Sequence, residues 1–315
     1  MHSYEGPGIF EAAPYLREIG RGKGGSRALS QARARELMTA ILAGEVSDLA
    51  LGAVLLALRM KGEEAPEIAG FLEALETHMA RAASAAPGWV VIPSYNGART
   101  VANLVPLLAM LLARAGLPVL VHGQASEPAA GARARVTSAT VFAALQVPSC
   151  ASMEEAPWRA AAGLPAVLAL QTFAPALSRL IGLRPVLGVR NVAHTLAKLV
   201  RPVHGPSLLI SSYTHPDFGR MQAELFRATG GHAMSMRATD GEAVISARRA
   251  QAIEHWNRGT CSTVVLAETV ARGAAELPDP GADATAEWTR KVLAGQLAVP
   301  AAIQAQFDAI RGALH

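Results

Sequence analysis

The stretch Glu36-Leu-Met-Thr-Ala-Ile-Leu-Ala-Gly-Glu-Val-Ser47 holds the end of one helix and the start of the next. Gly44 supplies a left-handed stop, and the Ser47 hydroxyl can accept from the first unpaired N–H groups of a following helix. Upstream, Ser30 caps a helix running to about Ala43. Downstream, Ser47 or Asp48 opens a second helix to about Met60, stopped near Gly62, and Pro66 suits the first turn of a third reaching about Ala82. The spacing predicts an all-helical hairpin stack.

Beyond Ala85-Ala86-Pro87-Gly88 the pattern changes. Trp89 to Ile92 and Pro118 to Val121 are short apolar, β-branched runs flanking a helix-like Leu104 to Ala115. Further strand candidates are Ala166 to Leu170, Ser207 to Ser211 and Thr263 to Ala267, alternating with helical stretches. The order predicts an α/β domain behind the helical one, with boundaries at 1–84 and 85–315.

The chain has 315 residues and 51% hydrophobic content, enough for a sizeable core and incompatible with disorder. Its 29 Lys plus Arg against 25 Asp plus Glu give a net charge of only +4, but the distribution is uneven. Residues 77–216 hold eleven bases and three acids (Glu127, Glu154, Glu155), a balance of +8, leaving −4 for the remainder. Cys150 and Cys261 cannot make a disulfide framework, lie at no metal-ligand spacing, and read as buried small apolar side chains in a reducing cytoplasm. Neither a signal peptide nor a membrane-spanning run is expected.

The helical words Glu36 to Ser47, Ala57-Leu-Arg-Met-Lys-Gly-Glu63 and Glu67-Ile-Ala-Gly-Phe71 resemble the N-terminal domain of anthranilate phosphoribosyltransferases. Weaker similarity continues at His122-Gly123, at Thr137-Ser-Ala-Thr-Val-Phe-Ala-Ala-Leu145 and from Arg184 to Pro202. The resemblance implies a small helical domain, completed by helices within 155–190, and a large α/β domain with a central mixed sheet flanked by helices. It also implies a homodimer built mainly through the helices. Leu37, Ile41, Leu42, Leu49, Val54, Leu55 and Leu58 point the same way, exceeding what a short hairpin stack is expected to bury on itself.

The motifs that carry the family's chemistry differ here. Its Gly-Thr-Gly-Gly-Asp-Gly loop lets backbone N–H groups approach pyrophosphate; this chain reads Pro93-Ser-Tyr-Asn-Gly-Ala98, where Gly97 alone survives and Pro93 has no N–H. Its Asp-Gly-Leu-Asp-Glu supplies oxygen ligands to magnesium; here Asp240-Gly-Glu-Ala-Val244 puts Ala243 and Val244 at those positions, and Glu242 reads as a solvated loop acid. Lys-His-Gly-Asn-Arg has become Val121-His-Gly-Gln-Ala125, whereas Arg184 falls where the family contacts anthranilate. The residues Ser94, Asn96, Gly97, Arg99, His122 and Gly123 are therefore expected to form a vestigial phosphate site, with no cofactor and no metal. Ser94 to Arg99, Gly182 to Asn191 and Ser211 to Pro216 resemble the YbiB-type branch of the family, described as DNA-binding and without transferase activity.

Residues 156–216 contain no carboxylate yet carry Arg159, Arg179, Arg184, Arg190, Lys198 and Arg201. If 189–200 is a helix, Arg190, His194, Lys198 and Arg201 share about 80° of arc, a basic stripe opposite Val192, Leu196, Leu199 and Val200. A plain solvated basic face is the competing reading, and His194 and His122 also fit as neutral hydrogen-bonding groups. Arg17, Arg21, Lys23 and Arg27, among Gly20, Gly22, Gly24 and Gly25, form either a segment that folds around phosphate or a disordered basic tail. Arg99 reads either as a phosphate grip or as a surface arginine beside a turn-capping Asn96, and Arg133 and Arg135 fall in a loop. Only 5% of residues are aromatic, Tyr95 and Tyr213 among them, which disfavours a stacking platform. No base-reading motif is present, so sequence-independent binding of DNA, or RNA, through backbone phosphates is expected. The alternative is an active phosphoribosyltransferase or nucleoside phosphorylase with a rebuilt site.

Overall fold

The computed structural model describes residues 10–22, 24–124, 135–247, 252–265 and 276–314. Lys23, Arg133 and residues 266–267 of the last predicted strand lie outside them. The chain divides into two compact units, one of residues up to 79 together with 174–200, the other of 80–173 and 201 onward.

In the helical unit, the predicted caps are in place. Ser30 accepts from the Arg33 N–H ahead of the helix Gln31–Ala43, which ends on Gly44 at φ +78°. Ser47 accepts from Ala50 ahead of Asp48–Lys61. The next helix, Ala65–Thr77, opens with a reciprocal capping box between Glu64 and Glu67. It stops five residues before the expected Ala82, which belongs to the second unit and bridges to Val203 within it. Gly70 lets this helix press against Gln31–Ala43, since a Cβ there would stand 2.2 Å from the Gln31 carbonyl oxygen. The buried Glu67 carboxylate accepts from Leu29 N–H at 3.0 Å and from Lys61 Nζ at 2.7 Å. Removing one partner of such a buried pair typically costs about 3–5 kcal/mol because the other charge is stranded.

The apolar excess assigned to a dimer face is mostly consumed inside this unit. Leu37, Ile41, Leu42, Val54, Leu55 and Leu58 are buried within the chain, and of the named residues Leu49 alone is exposed, at 87%. With Leu56 (40%) and Met60 (84%) it marks one face of Asp48–Lys61. A short helix, Ala13–Ile19, precedes those predicted.

The helix expected over 189–200 is corrected to a single turn, Ala193–Leu196. The Asn191 side chain accepts from Ala193 N–H and donates to the Leu180 carbonyl at 2.8 Å, which fixes the start. Beyond it, Lys198 and Leu199 donate to carbonyls three residues back, so the winding is tighter than 100° per residue. The arc that would align Arg190, His194, Lys198 and Arg201 therefore does not form.

The second unit is built on a seven-stranded sheet in the order β3-β2-β1-β4-β5-β6-β7. The strands are β1 (Trp89–Pro93), β2 (Val119–Gly123), β3 (Ala166–Ala169), β4 (Ser207–Tyr213), β5 (Ala233–Arg237), β6 (Ile253–Asn257) and β7 (Thr260–Val265). The first five are parallel, and β6 and β7 run antiparallel at one edge, so the sheet is mixed as expected. Val90, Ile92, Leu208, Ile210, Met234 and Met236 alternate onto one face. There they join Leu107 and Leu108 of Val105–Arg114, Trp288 of Ala282–Leu293 and Ile303 and Ile310 of Ala301–Ala313 in one core.

Candidate functional site

The carboxyl ends of β1 and β2 meet at a close backbone crossing. A Cβ on Gly123 would stand 2.1 Å from the Ser94 carbonyl oxygen, so glycine is required there. Ser94 N–H donates to the His122 carbonyl at 2.7 Å, and its hydroxyl lies 2.6 Å from that of Ser138, the first residue of the helix Ser138–Ala144. Asn103 secures the arrangement from behind, donating to Ser138 Oγ at 3.1 Å and to the Val136 carbonyl at 3.2 Å. The whole run from Ser94 to Ala98 is buried.

Two acids close over this loop. Glu242 is 1% exposed, which corrects its reading as a solvated loop acid. Its Oε1 accepts from Gly97 N–H at 2.6 Å and its Oε2 accepts from the Ser94 hydroxyl. Asp240 takes the N–H groups of Arg99 and Thr100, the latter at 2.6 Å, and the Thr100 hydroxyl at 3.1 Å. Between them, Gly241 sits at φ +100°, where a Cβ would collide with the Asn96 amide, 1.7 Å away. Arg135 donates to the Gly97 carbonyl at 2.8 Å. Gly97, the one glycine retained from the resembling pyrophosphate loop, thus spends its N–H on the chain's own carboxylate.

Ala243, Val244 and Ile245 continue from these acids directly into the hydrophobic core. Gln306 holds that backbone, accepting from Ile245 N–H at 2.9 Å and donating to the Ala243 carbonyl at 3.2 Å. Positions 243 and 244 therefore offer magnesium no oxygen side chain and face no water. His122 is buried edge-on against Phe173, with ring centroids 5.2 Å apart. The cavity that Ser94, His122, Gly123, Gln124 and Ser138 line measures about 10 Å³, room for one water rather than a phosphate. Among the described residues no group of three or more His, Cys, Asp or Glu converges on a metal position.

The basic residues of the predicted stripe are distributed differently. Arg184 is exposed, and Arg190 and Lys198 are half-buried, all in the helical unit. Arg201 belongs to the α/β unit, with Nη2 only 3.1 Å from where a Cβ on Gly231 would sit, just past the helix Pro216–Thr229. His194 is 4% exposed and cannot join a solvent-facing stripe. Burial first, then the charge of Arg190, push it down to about 4; Asn191's backbone partly offsets this, and Arg184 and Arg59 add to the depression. The charges of Arg59, Arg184 and Arg190 therefore all act on one histidine. Sequence reasoning missed Arg59, which lies 125 to 131 positions before the other two. Arg21 and Arg27 are exposed, Arg21 folding back onto the Arg17 carbonyl at 2.8 Å. The guanidinium-bearing Arg99 is exposed beside the closed loop. Cys150 is buried, but Cys261, read as buried, is exposed on the edge strand β7. No helix among the described residues is long and apolar enough to cross a membrane.

Residues 13–79 match the helical bundle domain of the glycosyl transferase family. The uncharacterized protein YbiB of Escherichia coli (strain K12) is 38% identical over 297 residues, covering 92% of this chain and 90% of YbiB. Anthranilate phosphoribosyltransferase of Methylobacterium nodulans is 34% identical over 202 residues, which is 64% of this chain and 57% of that enzyme. The crystal structure of the Thermus thermophilus enzyme superposes with a TM-score of 0.70 at 25% identity, covering 91% of this chain and 85% of that one. The Saccharomyces cerevisiae enzyme in complex with PRPP and Mg shares the fold, with a TM-score of 0.72 at 15% identity over 96% of this chain and 88% of that one.

The acid–loop contact has a pH signature. Burial works against the charge on Asp240, but the N–H groups of Thr100 and Arg99, the Thr100 hydroxyl and the Arg135 charge outweigh it and hold the carboxyl below its ordinary 3.8. A lowered folded-state value contributes stability that is present above the unfolded value and lost as pH falls through the folded one. Asp240→Asn is expected to lower stability at neutral pH and to flatten the decline below about pH 4 in urea unfolding curves. An unchanged acid limb would show that the Asp240 carboxylate does not hold the loop.

Proposed function

Because the chain belongs to the family of YbiB and the anthranilate phosphoribosyltransferases, on a glycosyltransferase-type scaffold, we propose that it binds nucleic acid independently of sequence and transfers no phosphoribosyl group. The observation that carries this reading is the internal occupation of the phosphate loop: Gly97 N–H and the Ser94 hydroxyl are committed to Glu242. With Ala243 and Val244 packed in the core, an incoming pyrophosphate meets neither free donors nor a metal-holding carboxylate pair.

Binding then rests on the basic surface of the helical unit. Arg184 and Arg190 lie in the segment 156–216 that has no carboxylate, and the charges of both act on the buried His194. The Arg59 charge also acts on Glu63, whose carboxyl is raised by burial and pulled back by its own backbone N–H and by Arg59. Lys198 and the exposed Arg21 and Arg27 extend the basic character of that unit. DNA is the first partner to test and RNA the second, since phosphates are common to both. The two unpaired cysteines fit a cytoplasmic setting. The competing reading, an active transferase, draws on Arg184 at the anthranilate-contacting position.

The exposed Leu49, Leu56 and Met60 face is assigned to a second copy of the chain, which would make the second nucleic-acid contact intramolecular. Light scattering at micromolar concentration should give a dimer for the wild type and a monomer for Leu49→Ser/Met60→Ser; a monomeric wild type contradicts the assignment.

In a salt titration with random-sequence duplex DNA, log affinity should fall linearly with log salt, by about 0.9 per phosphate contact. Arg184→Ala/Arg190→Ala should weaken binding to unrelated sequences alike and flatten the slope by roughly two units, whereas Arg311→Ala, on the last helix, should change neither. A double variant with undiminished affinity and slope overturns the assigned surface. Release of pyrophosphate from phosphoribosyl pyrophosphate in the same preparation would favour the transferase.

A further inference from the structure

On the antiparallel edge of the sheet, two histidines point their ring nitrogens at one another. His255 lies in β6 opposite Met234 of β5, and Ala233 pairs with Trp256, so His232, one residue before β5, is diagonal to His255 on the same face. Their Nε2 atoms are 3.0 Å apart, with ring centroids separated by 5.2 Å and planes inclined at 51°. Both rings are half-buried, so water and ions can reach them. In the metal-free pair one Nε2 carries the proton and the other accepts it.

We propose that His232 and His255 form a two-histidine chelate for a divalent transition metal, with Cu²⁺ and Ni²⁺ preferred. The ring that donated its Nε2 proton takes the Nδ1–H tautomer, and both Nε2 lone pairs then turn toward the ion. No proton leaves the protein in this exchange. With metal–nitrogen bonds of about 2.0–2.1 Å, nitrogens 3.0 Å apart subtend about 95° at the metal. That is the angle between adjacent positions of a square-planar or octahedral centre, whereas tetrahedral zinc wants a separation of about 3.3 Å. Water fills the remaining positions, because no third His, Cys, Asp or Glu joins the pair among the described residues.

The surroundings narrow the choice further. Met234 and Ser262, the residues opposite His255 on the two neighbouring strands, carry no charge. The nearest β6 acid, Glu254, alternates to the other face and accepts from Ser235 Oγ at 3.3 Å. A site of two imidazoles without carboxylate suits borderline ions and rejects Mg²⁺ and Ca²⁺, which require oxygen. The Arg201 charge acts on His232 and opposes a bare dication, so affinity stays below that of a three-ligand site. It also favours an anion, such as hydroxide or chloride, in one of the open positions.

The test is calorimetric titration of the full chain with CuCl₂, NiCl₂, ZnCl₂ and MgCl₂, with nitrogen hyperfine structure from Cu²⁺ read by electron paramagnetic resonance. The expected result is one site in the order Cu²⁺, Ni²⁺, Zn²⁺, no heat with Mg²⁺, and a spectrum of two equivalent imidazoles. His232→Ala should weaken Ni²⁺ at least tenfold, and so should His255→Gln, which keeps a hydrogen-bonding side chain in case the alanine variant unfolds. His215→Ala, altering an exposed histidine elsewhere, should bind as the wild type does. Unchanged Ni²⁺ affinity in His255→Gln, or a Cu²⁺ spectrum showing a single imidazole, overturns the proposal.

Discussion

A buried carboxylate and a buried backbone N–H cannot both be left unsatisfied, and in this protein each satisfies the other. Glu242 loses water on entering the interior and recovers its bonds from Gly97 and Ser94. Much of the neighbouring structure serves that contact. Gly241 must lack a side chain for the acid-bearing turn to pass Asn96, and Gly123 must lack one for β2 to pass Ser94. Asp240 ties the following residues, Arg99 and Thr100, to the same turn. Beyond Glu242 the chain turns into the core, anchored by Gln306 from the last helix.

The consequence for chemistry is one of occupancy rather than of missing fold. The sheet, its crossing at the carboxyl ends of β1 and β2 and the helical bundle domain are all present. Phosphoryl and phosphoribosyl chemistry needs donors aimed at an empty position, preorganised before the substrate arrives. Here the donors are equally preorganised, but for an acceptor that is part of the chain. The exposed Arg184 and the half-buried Arg190 lie elsewhere, in the helical unit.

Local signals in the sequence were legible wherever the deciding partner is a few residues away. Ser30, Ser47 and Gly44 mark helix ends because a cap bonds within three or four residues of itself. The parallel strands β1, β2 and β4 are apolar runs because both of their faces are covered. Strands β5 and β6, Ala-Met-Ser-Met-Arg and Ile-Glu-His-Trp-Asn, escaped notice because they are poor in β-branched residues and mix polar with apolar side chains. The burial of Glu242 was invisible for a different reason. Its partner Gly97 is 145 positions away, and an acid in a glycine-containing turn looks solvated until the turn is packed. The basic stripe failed because it assumed twelve residues of regular helix where Asn191 and the tight turns after it permit four. The apolar side chains of Ala243 and Val244, by contrast, are readable directly, and packing adds that those positions lie inside the core.

The internal closure of the phosphate loop is tested most directly by calorimetric titration of the protein with pyrophosphate and magnesium, the anion and cation that the loop and its carboxylates would have to hold. The wild-type chain is expected to give no saturable heat at millimolar pyrophosphate, because Glu242 already holds the Gly97 and Ser94 donors. Saturable, magnesium-dependent binding in the micromolar range by the wild-type chain would contradict it.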